Sequence, residues 1–131
     1  MRKYFIAFVG TAFFMTVIDL LWIGVFAREL YKTGFGHLMA EQPNFLFAAL
    51  FYLVFPIGLM TFAIIPSESS VGWSKALLLG TMFGFFTYAT YDLTNLATLK
   101  NWPIGLAFID LAWGCAISGI SAVLGKFILD H

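Results

Sequence analysis

Charge is what this 131-residue chain has least of. Asp, Glu, Lys and Arg make up 11% of it, against 61% hydrophobic residues and a mean hydropathy of +0.91. A soluble domain carries about 25% charged residues. So few polar side chains cannot cover a water-facing surface of this size, which leaves the lipid bilayer as the main solvent. Seven basic residues balance seven acidic ones, and no basic run exists to follow a nucleic-acid backbone, so nucleic acid is not an expected partner. A single cysteine, Cys115, excludes an intrachain disulfide. The only histidines, His37 and His131, fall in a loop and at the end of the chain, and no Cys or His stands in ligand spacing. No metal, haem or other cofactor is expected. There is no P-loop and no Gly-rich dinucleotide motif.

What is present is length in apolar segments. About 20 apolar residues cross a hydrocarbon core. Four segments meet that requirement, at roughly 4–26, 44–65, 73–99 and 103–129. The expected fold is therefore all-α, a single polytopic domain forming a four-helix transmembrane bundle. The start, Met1-Arg2-Lys3 and then apolar residues, is expected to be a retained first helix and not a signal peptide, because it runs on past Asp19 and Trp22 without a small-x-small cleavage site. The stretch from Arg28 to Gln42 is the longest connection. Leu30, Tyr31, Phe35, Leu38 and Met39 allow a short interfacial helix there, one that Gly34 and Gly36 should break. Ser70 is placed to cap the third helix and Pro103 to open the fourth. Pro56 should kink the second helix. Trp22, Trp73 and Trp102 lie where an aromatic belt would. Four helices put both termini on one side with Arg2, Lys3, Lys75 and Lys126, against Arg28, Lys32 and Lys100 on the other. This slight bias points to cytoplasmic termini, and so even a balance also permits insertion both ways round.

One phrase occurs twice and has a relative. Ile18-Asp19-Leu20-Leu21-Trp22 returns as Ile109-Asp110-Leu111-Ala112-Trp113, and Tyr91-Asp92-Leu93-Thr94-Asn95 resembles both. Residues i and i+3 share a helix face, so Asp19 pairs with Trp22, Asp92 with Asn95 and Asp110 with Trp113. Asp19 and Asp92 lie late in parallel helices and Asp110 early in an antiparallel one. All three should therefore lie at one level, roughly 6–8 Å below the interface remote from the termini. A carboxylate in a membrane costs about 2.5–3.5 kcal/mol at the centre and less near the edge. With no basic residue beside them, these acids must be protonated, accept hydrogen bonds from Tyr88, Tyr91, Asn95, Trp22 and Trp113, or hold a cation. These eight residues are the candidate proton- or ligand-binding set. The alternative is that each Asp ties helices together.

The third helix is the most polar. Tyr88, Asp92 and Asn95 form one face, and Thr87, Tyr91, Thr94 and Thr98 an adjacent one. Such faces should turn to the bundle or to a wet cleft and away from lipid. Gly80 and Gly84 form a G-x-x-x-G step, and Gly114, Ser118, Ser121 and Gly125 a small-residue stripe. Both suit close helix packing within the chain, a homodimer seam being the alternative.

The block Tyr88-Ala89-Thr90-Tyr91-Asp92-Leu93-Thr94-Asn95-Leu96-Ala97-Thr98-Leu99, with Trp102-Pro103 and Asp110-Leu111-Ala112-Trp113-Gly114, resembles a bacterial family of small predicted membrane proteins, domain of unknown function 2177. Asp19-Leu20-Leu21-Trp22, Phe51-Tyr52, Pro56 and Gly58 are also similar to it. The resemblance implies a multi-pass protein of the bacterial inner membrane with four helices, and it supplies no activity and no catalytic residues. Three functions stay open. The first is a small proton- or cation-linked transporter or channel around Asp19, Asp92 and Asp110, which would need a homodimer or small homo-oligomer to make room for a pore. The second is a membrane enzyme acting on a lipid or other apolar substrate. The third is a structural or accessory membrane protein.

Overall fold

A computed structural model describes residues 1–38 and 44–131. Met39, at the end of the expected interfacial helix, lies outside the described residues. The chain is all-α. Helix α1 spans Arg2–Leu21 and continues as a π-helical turn, Trp22–Phe26. Helix α2 (Arg28–Phe35) is short and ends in a 3-10 turn, Gly36–Leu38. Helix α3 (Phe45–Leu59) continues through a π turn, Met60–Ile64, and a 3-10 turn, Ile65–Ser67. Helices α4 (Ser74–Thr98) and α5 (Ile104–Asp130) complete the chain. Among the described residues, three helical runs are long and apolar enough to cross a membrane: Arg2–Phe26, Phe45–Ser67 and Ile104–Asp130. Helix α4 has the length, but its Thr, Tyr, Asp and Asn residues keep it below that apolarity.

Local chemistry accounts for the ends of these elements. The Asn44 side chain accepts from the backbone N–H groups of Leu46 and Phe47 at 3.1 and 3.4 Å, capping α3. The expected Ser70 cap does not form. Its hydroxyl donates to the Ser67 carbonyl inside the turn, and α4 starts only after Trp73 with no side-chain cap. Ser69 and Gly72, both at positive φ, extend that turn. Of the two glycines expected to break this helix, Gly34 does not, since α2 runs through it to Phe35 and its missing side chain leaves room for Leu106 of α5, whereas Gly36 stands where α2 gives way to the 3-10 turn.

Helices α4 and α5 pack most closely. A Cβ on Gly84 would stand 2.3 Å from the Gly114 carbonyl oxygen, and one on Gly80 would stand 2.5 Å from the Ala122 Cβ. The G-x-x-x-G step and the small-residue stripe are thus used within the chain. Helix α1 lies against α5 and α3, burying Ala7, Thr11, Met15 and Asp19 at every fourth position. The π turn that continues α3 approaches α4 and α5, whereas α3 itself packs on α1. Phe55 bridges the remaining gap through ring contacts with Phe83 and Tyr88. That gap creates the cavity described below.

The opposite end is closed by charge. Lys3 and Tyr4 donate to Glu68, the Ser69 N–H donates to Asp130, and Lys126 pairs with Asp130. Both termini and the α3–α4 turn therefore share one end. Lys126 is buried within this cluster instead of standing free at its edge.

Candidate functional site

The two Asp-Leu-x-Trp phrases meet across the antiparallel pair α1 and α5. The indole rings of Trp22 and Trp113 stack with centroids 4.4 Å apart and planes 6° apart. The Trp113 N–H donates to Asp19 at 2.8 Å. The Trp22 N–H donates to the Tyr31 hydroxyl at 3.2 Å, which in turn donates to Asp110 at 2.6 Å. Each aspartate is thus tied to the tryptophan of the other phrase, one directly and one through Tyr31. The second Asp19 oxygen accepts from Tyr52 on α3 at 2.6 Å. Asp19, 5% exposed, therefore joins three helices.

These groups line a cavity of about 860 Å³. Asp19, Tyr31, Tyr52, Tyr88, Asp110 and Trp113 give its wall polar atoms, and the remainder is mainly aromatic and aliphatic. The Tyr88 ring rests on Gly114, where a Cβ would stand 2.1 Å from it, so α4 and α5 come close enough to present Tyr88 to the cavity. Asp92 is 2% exposed, and neither of its oxygens has a hydrogen-bond partner among the described residues. It sits behind the wall beside Asp110 and the Trp102 indole, whose N–H is also buried without a partner. Tyr91 lies half-exposed at the rim, next to Asp110, with Asn95 beside it.

Of the eight candidates, Asp19, Tyr88, Tyr91, Asp110 and Trp113 thus line the cavity. Trp22 supports it by stacking, Asp92 is buried behind it, and Asn95 stands off it. The polar faces of the third predicted helix do not all turn inward. Thr90, Thr94 and Thr98 are exposed, and each hydroxyl donates to the carbonyl four residues earlier, which satisfies it without a neighbouring helix. Trp22 and Trp102 serve the cavity instead of forming an exposed belt, while Trp73 is exposed at the start of α4.

The sequence reading missed Tyr31 and Tyr52 as donors. Tyr52 lies early in a helix antiparallel to the first, at the depth of the acids, and that position was the available signal. Tyr31 occurs on α2, outside the long helices. Burial and its hydrogen bond to Asp110 push its phenol above the ordinary value, so it remains protonated and a donor.

Among the described residues no group of three or more metal-ligating side chains could hold a metal ion. Nor does any Lys or Arg among them pair with Asp19, Asp92 or Asp110, since the two salt bridges both lie at the terminal end. The arrangement is an aromatic cavity with two aspartates on its wall, whose carboxyl oxygens accept from neutral donors. No curated protein and no solved structure matches the chain. The model of the family described as predicted membrane protein (DUF2177) matches residues 4–127, and the chain belongs to that family.

Proposed function

We propose that this protein is a small proton- or cation-linked transporter or channel of the bacterial inner membrane, with the aromatic cavity as its binding site. The observation that carries this reading is a cavity of about 860 Å³ with Asp19 and Asp110 on its wall and no basic residue among those described paired with either. Aspartates that only tied helices together would leave no such space beside them. Asp92, buried without a partner among the described residues behind Asp110, is the natural relay for a proton or cation leaving the cavity. In this reading α4 crosses the membrane with the other three helices, its polar side turned partly to the cavity. The termini are cytoplasmic, and a homodimer or small homo-oligomer encloses the path.

The test is flux in reconstituted vesicles holding a pH-sensitive dye, under an imposed potassium diffusion potential and under a pH gradient. Wild-type protein should move protons or alkali cations faster than protein-free vesicles, and Asp92→Asn should return the rate to baseline. Wild type indistinguishable from protein-free vesicles under both gradients, or Asp92→Asn as fast as wild type, overturns the reading.

A membrane enzyme acting on a lipid is the second reading, favoured by the apolar wall that Ile23, Phe47, Phe51 and Phe55 provide. It requires that mass spectrometry of lipids incubated with the protein show a chemical change that Asp110→Asn abolishes. Identical lipid profiles exclude it.

A further inference from the structure

The cavity wall is specific about what would complement it. Tyr31 donates to only one Asp110 oxygen, and the other has no donor among the described residues. Asp19 is already engaged by Tyr52 and Trp113. Asp110 is therefore the point at which an occupant would meet negative charge, with Asp19 adding to the field. An anion would be repelled, and a neutral apolar molecule would leave the carboxylates without a counter-charge in a water-poor space. A small inorganic cation needs several oxygen ligands, whereas most of this wall is carbon and its volume exceeds that of any single ion.

Aromatic rings are the second, independent observation. Tyr88, Tyr91, Trp102 and Trp113 line the cavity together with Asp110, and Phe51 and Phe55 of α3 add two more rings to its lining. Faces of Tyr and Trp attract organic cations and are the known means of holding quaternary ammonium groups. A cavity of about 860 Å³ accommodates an occupant of drug-like size. Asp92, 2% exposed and unpartnered among the described residues, adds a third carboxyl just behind this wall, beside Asp110 and Trp102.

We propose that the cavity binds a lipophilic organic cation, with an ammonium or phosphonium centre against Asp110 and apolar substituents against the surrounding rings. The proposal rests on the transporter reading above and names its substrate class. Protons and the organic cation then compete for the same carboxylates, which is the simplest way for one site to couple the two.

The experiment uses two probes of the same shape and opposite charge, radiolabelled tetraphenylphosphonium and tetraphenylborate, in equilibrium binding to the full-length protein in detergent. Tetraphenylphosphonium should bind and tetraphenylborate should not. Asp110→Asn should weaken it by about tenfold or more. Tyr91→Leu leaves every carboxylate in place and should weaken it by about three- to tenfold, so a folding failure of the Asp110 variant does not remove the test. Equal binding of both probes, preference for the borate, or no binding of either overturns the proposal. If neither binds and wild type still carries the proton or alkali-cation flux described above, the transporter reading survives and only the substrate class falls.

Discussion

Asp19 allows the charge in this site to be measured through stability. Its carboxylate accepts from the Tyr52 hydroxyl at 2.6 Å and the Trp113 indole N–H at 2.8 Å, so α1 is held to α3 and α5 at one residue. Tyr52→Phe removes one donor and leaves the ring. A hydrogen bond to a charged group contributes about 1.5–3 kcal/mol, whereas neutral side-chain bonds between membrane helices average about 0.6 kcal/mol. Asp19→Asn keeps an acceptor for Trp113, and its amide can donate to the Tyr52 oxygen, so both contacts survive without the charge. The assay is unfolding of purified protein by SDS titrated into mixed micelles, performed on wild type, each single variant and the double variant. If Asp19 is ionised, Tyr52→Phe costs about 1.5–3 kcal/mol in wild type and well under about 1 kcal/mol in the Asp19→Asn background, a coupling of at least about 1 kcal/mol. Additivity within about 0.5 kcal/mol refutes a charged Asp19 held by Tyr52.

Three further outcomes follow from the packing. Gly84→Ala and Gly80→Ala should each destabilise the protein by about 1–3 kcal/mol in the same assay, because the new methyl meets backbone or Cβ atoms of α5. Gly105→Ala, whose new methyl would have no neighbouring atom within 4 Å, should not. Tyr31→Phe cuts the link from Trp22 to Asp110 and should release α2, so trypsin cleavage at the exposed Arg28 and Lys32 should quicken roughly five- to tenfold. Hydrogen bonds from Lys3 and then Tyr4 hold the Glu68 carboxyl below its usual value of 4.5. A depressed folded-state pKa adds stability that is present above the unfolded value and lost as pH falls through the folded one. The difference in melting temperature between wild type and Glu68→Gln should therefore be small at pH 7, since the site is exposed, and vanish below the carboxylate range.

The long helices were legible because runs of apolar residues are bounded by charge, proline and turn residues, though among the described residues only three of these runs are apolar enough to cross a membrane. The shared level of the three acids was legible from helix direction alone, and the structure brings Asp19 and Asp110 to one cavity with Asp92 alongside. Which of them touches the cavity was not. Tyr88 and Asp92 share a face at i and i+4, yet Asp92 lies one turn nearer the end of α4, where Trp102 and Asp110 cover it. Threonine polarity on α4 misled, because a hydroxyl bonded to its own helix has no need of the bundle. The donors Tyr31 and Tyr52 act across 79 and 33 residues of sequence, and no local spacing marks them.

The central claim, that the aspartates face a wet binding cavity and do not merely fasten helices, is tested most directly by access from water. In a Cys115→Ala background, Thr87→Cys places a thiol on the cavity wall and Ser69→Cys one at the closed end. A membrane-impermeant maleimide is added to each side of oriented vesicles in turn. The account predicts that Thr87→Cys is labelled, and from the side opposite to Ser69→Cys. Folded protein in which Ser69→Cys reacts and Thr87→Cys stays unlabelled from both sides would contradict it.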